Sequence, residues 1–354
     1  MSDRVVVAMS GGVDSSVAAA MMKKNGYDVI GLTMQLGATD SRCCSDQDVQ
    51  DARRVAAFLS IPHYVVSFRE AFRREVIEYF IEEYERGRTP NPCAVCNPKI
   101  KFGLLLKKAC SLGADLMVTG HYARVKRDPV SNRWLLKKGR ERGKDQSYFL
   151  GRLTQDQLSH TQFPVGNYPK EKIRQLAEKT GLPVARKTES QEVCFVPDAG
   201  VAEFITGERE KPFQPGHIVR SDGTVLGEHP GIIGYTIGQR KGLGIAVGKP
   251  VYITRIDAAN NTVTVGDDCD LYHESFLAAK PHWIAIPRLD ESMEVRTRIR
   301  YKHRPALSTI EPLKDGRIRV HFRTPQRAIT PGQLAVFYQQ DIVIGSAWIE
   351  CLSK

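Results

Sequence analysis

The sequence predicts an α/β domain built on a parallel sheet, then a small β-rich domain, then a C-terminal β-barrel. Three observations carry that reading. Apolar strand-like runs alternate with helical segments up to about residue 200, the order expected of a parallel sheet with crossover helices. The pair Gly11-Gly12 stands between the first strand and the first helix. From residue 213 the alternation stops, and short β-prone runs are punctuated by Pro215-Gly216, Asp222-Gly223, His229-Pro230-Gly231 and Asn260-Asn261. The expected boundaries are 1–205, 206–273 and 274–354, since 354 residues exceed what a single core normally supports.

Taken in order, residues 5–9 read as a buried strand, apolar on both faces, and 16–22 as the start of a helix. Residues 29–34 form a second strand, 46–59 a helix, 63–66 a third strand and 70–86 another helix. Residues 101–112 read as helical and 115–119 as a fourth strand ending at Gly120. The strand ends then gather on one sheet edge, where open α/β folds bind ligands. Met34 and Gly120 fall there, although a core methionine and a turn glycine would look the same. Farther on, 251–254 and 262–265 are strands of the small domain. Residues 294–301 alternate with period two, basic on one face, and are followed by 317–322, 335–338 and 342–349 at spacings that fit a closed barrel.

The net charge of +11 is concentrated: residues 126–152 hold +6, residues 281–354 hold +5, and the rest of the chain sums to zero. Either excess alone would suit a solvated surface. Together they point to a polyanion such as nucleic acid, bound through phosphates and sensitive to salt. With no run of 18 apolar residues and no signal-type N-terminus, a cytoplasmic protein with no membrane partner is expected. Eight cysteines are too sparse for a disulfide scaffold, so clustered ones point to catalysis or metal.

Chemistry is concentrated in two places. Ser10-Gly11-Gly12-Val13-Asp14-Ser15-Ser16 is a strand-to-helix turn in which glycines let the backbone approach an anion and hydroxyls stand beside free helix N-terminal amides. A phosphate chain is its natural occupant. It is not a Walker loop, because the lysine of that motif is missing. The second place is "RTPNPCAVCNPKIKF", where Pro90, Pro92 and Pro98 stiffen the chain around Cys93 and Cys96, with Cys194 about a hundred residues on. A lone C-x-x-C is a redox pair, half a metal site or accident, and the absence of a second pair or of nearby histidines argues against structural zinc. Arg186 and Lys187 are candidates to lower the Cys194 thiol pKa, or else surface charge. Cys43-Cys44 reads as an exposed loop pair, and Cys110, Cys269 and Cys351 as packing residues.

The motifs AMSGGVDSS, RTPNPCAVCN-x-x-IKF, TGHYAR, GKDQSYFL, SQEVCFV, HPGIIGYTIGQRKGLGI, RYKHRPA and PQRAITPGQLAVFY together resemble the tRNA-specific 2-thiouridylases, in family order and across nearly the whole chain. The resemblance implies a pyrophosphatase-loop domain of the adenine nucleotide alpha hydrolase type, a small central domain and a C-terminal β-barrel that contacts tRNA. It implies ATP-dependent adenylation of O2 of the wobble uridine, position 34, followed by replacement of that oxygen with sulfur. ATP would lie on Ala8, Met9, Ser10, Gly11, Gly12, Val13, Asp14 and Ser15, with Met34 and Gly120, and Asp14 would help hold Mg²⁺. Cys96 matches the catalytic cysteine and Cys194 the one that carries sulfur as a persulfide. Asn91, Pro92 and Cys93 would border the uridine, while His121, Lys144, Asp145, Gln146, Arg300, Tyr301 and Gln333 would contact tRNA. The implied partners are the anticodon loop of a tRNA and a sulfur-donor or sulfur-relay protein.

One position departs from the family pattern. Where these enzymes commonly have aspartate, giving D-x-x-C, this chain has Cys93. Cys93, Cys96 and Cys194 therefore also resemble the three thiolates by which some tRNA-thiolating relatives hold a [4Fe-4S] cluster. A Cys96–Cys194 persulfide route needs no cluster. Two other function classes fit parts of the chain: an amidating or other nucleotide-activating ligase with the same loop, and a non-catalytic RNA-binding module. Neither needs all of Cys96, Cys194 and the basic barrel.

Overall fold

The computed structural model describes residues 3–37, 46–188, 193–197, 199–209 and 213–352. Cys43, Cys44 and residues 190–192 of the SQEVCFV stretch lie outside them. The first sheet has five parallel strands in the order His63–Ser67, Asp28–Gln35, Arg4–Ala8, Leu116–Val118, Thr161–Gln162. Side-chain alternation explains its layers. Val5 and Val7 face Val13, Val17 and Ala18 of helix Val13–Lys24, Ala52 and Val55 of helix Asp46–Phe58, and Ile173 and Ala177 of helix Lys170–Thr180. Val6 faces the opposite layer with Leu32, Phe72, Phe80, Ile100 and Phe102. A central strand covered on both faces reads as a continuous apolar run.

Asn91 starts the next segment, its side-chain oxygen accepting from the Ala94 amide at 3.2 Å, and Pro92 occupies the first helical position, where its missing N–H costs nothing. The short α-helix Pro92–Cys96 runs into the π-helical turn Asn97–Leu105. Pro98 cannot donate to a helical ladder, and a Cβ on Gly103 would lie 2.9 Å from the Pro98 carbonyl oxygen. The wide turn thus has a local cause, and it re-aims the side chains that follow Cys96.

Strands Tyr252–Asp257, Thr262–Gly266, Gly216–Arg220 and Val225–His229 form a four-stranded sheet in that order around Ile218, Ile253, Val263 and Val265. In the C-terminal region, Tyr272–Trp283 pairs with both Ile318–Arg327 and Ile342–Leu352, which closes a six-stranded barrel completed by Ala306–Pro312, Met293–Arg298 and Leu334–Gln339. Closure leaves no exposed edge among these strands. A hairpin, Ala123–Arg127 with Trp134–Lys138, belongs by sequence to the first region but joins the barrel sheet through the Lys137–Ile342 bridge. It ties the two ends of the chain together.

Two expectations change. Cys110, Cys269 and Cys351 are exposed rather than packed. The arginines of 294–301 do not share one open face: Arg296 is exposed, Arg298 is buried and the strand ends there. No helix among the described residues is long and apolar enough to cross a membrane.

Candidate functional site

The loop at 10–12 is held from several sides. Gly11 has φ +68°, and a Cβ there would lie 2.2 Å from the Asp48 carbonyl oxygen. Gly120 approaches the loop so closely that a Cβ would lie 2.6 Å from the Ser15 nitrogen. Ser15 and Ser16 hydroxyls donate to the Gly12 carbonyl at 3.1 and 2.8 Å, and the Ser10 amide donates to the Ser15 hydroxyl at 3.2 Å. The first amides of helix Val13–Lys24 have no intrahelical acceptor, so the turn offers an anion site bounded by main chain. Met9, Val13 and Met34 are buried in the core, and Ala8 is half-buried.

Asp14 is engaged rather than open. The Lys170 ammonium lies 2.8 Å from each of its carboxylate oxygens, and the Tyr122 hydroxyl donates to one of them at 2.8 Å. Among the described residues no three His, Cys, Asp or Glu side chains are gathered as a metal site. A Mg²⁺ ion carried on ATP phosphates needs only one or two carboxylates from the protein, so Asp14, beside the loop, is the residue that would help hold it. The same finding gives the cluster reading of Cys93, Cys96 and Cys194 no support, because three thiolates facing one point would form such a group. Glycine-bounded amides and hydroxyls do fit the phosphates of ATP.

Lys187 does not serve Cys194 either. Its ammonium contacts Asp48 Oδ1 at 2.7 Å, Asp51 Oδ2 at 2.5 Å and the Gly11 carbonyl at 3.3 Å. Burial opposes ionisation of Asp51, but hydrogen bonds from Lys187 and Arg54 keep its pKa below the usual value.

From Asp14 and Tyr122 a chamber of about 850 Å³ runs past Asn91, Pro92, Cys93 and His121 to Lys144, Asp145, Gln146, Tyr301 and Gln333. Ten of the residues singled out in the sequence line one cavity. Arg300 is different: it lines a separate 300 Å³ cavity, with Nη1 donating to the carbonyls of Arg327 and Ala328. Gln333 borders both cavities and donates to the carbonyls of Thr89 and Pro90 at 3.0 Å, so the barrel fixes the cysteine-bearing loop.

Several lining residues are structural as well. The Asp145 carboxylate is buried and accepts from the Gly139 and Ser147 amides, the Ser147 hydroxyl and Arg298. Gln146 accepts from the Tyr122 amide at 2.8 Å. His121 packs between Phe102 and Phe163 and pairs with the Thr119 hydroxyl at 2.7 Å; burial, with Lys101 adding, holds its pKa well below the ordinary value, so the ring is neutral.

Cys93 and Cys96 lie one turn apart on the short helix, and only Cys93 borders the chamber. Burial pushes the Cys93 thiol up to about 11, Cys194 adds to the shift and Lys101 opposes it. Cys96 is buried in an apolar cluster against which Cys194 and Val193 pack. The sequence reading missed Lys101, the cation that faces Cys93, and Lys138, a buried wall residue whose ammonium sits 4.0 Å over the Tyr338 ring. Burial pushes Lys138 down to about 8, although Asp145 opposes. Lys101 stood in the IKF motif and could have been noticed; Lys138 read only as part of a charge run.

Comparison with known proteins places this geometry. Family models described as tRNA methyl transferase HUP domain, tRNA methyl transferase PRC-barrel domain and aminomethyltransferase beta-barrel domain match residues 3–198, 203–267 and 273–349. The tRNA-specific 2-thiouridylase MnmA of Acetivibrio thermocellus is 50% identical over 355 residues, covering 98% of this chain and 99% of that one. The protein of the same name from Moorella thermoacetica is 50% identical over 356 residues, covering 99% and 100%. One from Caldanaerobacter subterraneus, MnmA 1, is 49% identical over 358 residues, covering 99% and 98%.

Proposed function

This chain belongs to the tRNA-specific 2-thiouridylase family, and from that premise we propose that it uses ATP to place sulfur at C2 of the wobble uridine of tRNA. The observation that carries the proposal is the single chamber joining Asp14 at the nucleotide loop to Cys93 and to the barrel residues Tyr301 and Gln333. A reaction that activates a base and then sulfurates it needs the nucleotide and the base within one enclosure and the thiols at its wall, where Cys96 lies one turn from Cys93 and Cys194 packs on the same cluster. A methyl transferase would need no such pair of sites.

The base must first leave its stack, which costs little in an anticodon loop. Its O2 attacks the α-phosphorus of ATP and pyrophosphate departs onto the loop amides, which makes C2 electrophilic. The terminal sulfur of a persulfide on Cys194 attacks C2 and expels AMP. The Cys96 thiolate then attacks the Cys194 sulfur, leaving sulfur on the base and a Cys96–Cys194 disulfide that a dithiol reductant reopens. Seven Lys and Arg residues and two aspartates line the chamber, an imbalance suited to tRNA phosphates. A sulfur-donor or relay protein supplies the persulfide.

The test is ATP–pyrophosphate exchange with and without tRNA, paired with mass-spectrometric assay of 2-thiouridine. Exchange should require tRNA, and Cys96→Ser or Cys194→Ser should keep exchange while abolishing thiolation. Exchange independent of tRNA would favour a ligase acting on a free substrate. No exchange at all, with tRNA still bound, would favour the RNA-binding module.

A further inference from the structure

Buried polar atoms in a folded chain are nearly always hydrogen-bonded, because an unmade bond carries the full cost of desolvation. Asn97 departs from that rule at the chamber wall. It follows Cys96 directly, opens the π-helical turn Asn97–Leu105, is only 2% exposed and borders the 850 Å³ chamber. Its Nδ2 donates to the Phe149 carbonyl at 3.1 Å, while its Oδ1 accepts from no described residue.

The orientation of this carboxamide is fixed. Turning it over would set Oδ1 against the Phe149 carbonyl oxygen, acceptor facing acceptor, so the unpartnered atom is the oxygen and the position calls for a donor. The surroundings suit a base. Phe149 and Tyr301, both at the chamber wall, have ring centroids 4.5 Å apart and give a π face of the kind on which single-stranded RNA bases stack. Cys93 at the same wall is held protonated by burial, and a thiol is a weak acceptor, so it does not compete for a donor.

Uracil and cytosine differ in this respect at one ring atom. In uracil N3 carries a hydrogen and stands next to C2, the atom to be sulfurated; in cytosine N3 is a bare acceptor, and the amino donor lies one ring atom farther on. Because Asn97 adjoins Cys96 in the chain, a base whose C2 is turned to the thiols brings N3 to Asn97. We propose that Asn97 is a specificity-determining residue, its Oδ1 accepting from N3–H of the extruded uridine and rejecting cytidine by opposing acceptor to acceptor. This rests on the wobble-uridine reading above and deepens it.

Anticodon stem–loop RNAs bearing uridine, cytidine or 3-methyluridine at the wobble position, bound to the full-length protein with α,β-methylene-ATP and followed by fluorescence anisotropy, test this without turnover. The wild type should prefer uridine over either alternative by about tenfold, the effect of one hydrogen bond whose loss strands a buried partner. Asn97→Leu, close in volume, should bring uridine affinity to within about twofold of cytidine. The salt dependence should stay as in the wild type, which a general disturbance of the RNA-binding surface would not allow. If Asn97→Leu fails to fold, Asn97→Ala is read by the same criteria. Wild-type protein that binds the three RNAs alike, or a folded variant that keeps the tenfold preference, would overturn the assignment. Wild-type protein that binds none of them would overturn the wobble-uridine reading itself, and the role of Asn97 with it.

Discussion

The two ends of the chamber handle charge in opposite ways. At the nucleotide end, Lys170 is matched by Asp14, and Lys187 by Asp48 and Asp51. At the barrel end, Lys138, Arg142, Lys144, Lys302 and Arg304 line a wall whose nearest acidic member, Asp145, already serves Arg298 and two amides. Matched pairs hold a small site in shape. An excess of one sign attracts an extended polyanion from a distance and need not be rigid. Mutations at the two ends should therefore separate catalysis from tRNA affinity.

The largest separation is expected at Gly120. A methyl group there would meet the Ser15 nitrogen at 2.6 Å and the Asp14 carbonyl carbon at 2.8 Å, both main-chain atoms that cannot swing aside. Gly120→Ala should shift the loop by a fraction of an ångström and lower tRNA-dependent exchange on the order of a hundredfold. tRNA affinity, measured by filter binding, should stay within about twofold, since no basic side chain moves. Equal losses in both would mean that the two ends are one cooperative unit and that the charge comparison misleads.

At the other end the effect is smaller and has a different signature. Lys144→Ala and Arg304→Ala should each weaken tRNA several-fold and flatten the log–log salt dependence by about 0.7 to 0.9 per lost phosphate contact, with ATP affinity unchanged. Arg300→Ala provides the contrast. Its guanidinium holds the Arg327 and Ala328 carbonyls, so its removal should lower thermal stability more than it changes the salt slope. A full unit of slope lost at Arg300 would place it on the phosphate backbone instead.

The sequence revealed these ends unequally. Val5, Val6 and Val7 are buried on both faces, and their unbroken apolar run announced the parallel sheet without any knowledge of its neighbours. The glycine loop was equally local. The hairpin of Ala123–Arg127 and Trp134–Lys138 was not legible, because its strands are rich in Lys and Arg and its sheet partner lies more than two hundred positions on. Lys170 and Lys187 were missed in their present roles for the same reason: an ion pair between residues 156 or 139 positions apart leaves no periodicity in the chain. Arg298 shows the converse error. Strand alternation placed it with its exposed neighbours, but the strand ends at that residue and the guanidinium turns inward to Asp145 and the Tyr301 carbonyl.

The smallest effect is expected at Cys93, which stands between the two ends and decides what its unusual identity means. Its thiol borders the chamber, but burial raises its pKa to about 11, so at pH 7 roughly one molecule in ten thousand carries the thiolate. A group in that state is a poor nucleophile and a poor metal ligand. Alkylation of Cys93 by iodoacetamide, followed by peptide mass spectrometry, should therefore rise about tenfold per pH unit from pH 7 to pH 10 without a plateau. The sign follows from the raised pKa: deprotonation is what limits the rate, and it is incomplete throughout that range. Cys93→Asp should then keep 2-thiouridine formation within about threefold, an amount equivalent to less than 1 kcal/mol, because no step of the proposed route uses the Cys93 sulfur and Lys101 offsets the carboxylate charge. The assay is run anaerobically with iron measured on the same sample. Stoichiometric iron in the wild type, lost together with thiolation in Cys93→Asp while tRNA binding persists, would show that the thiols are brought together as ligands after all. An early plateau in alkylation near pH 7 would show instead that cations from the barrel end reach Cys93, and would move it from the neutral boundary into the electropositive wall.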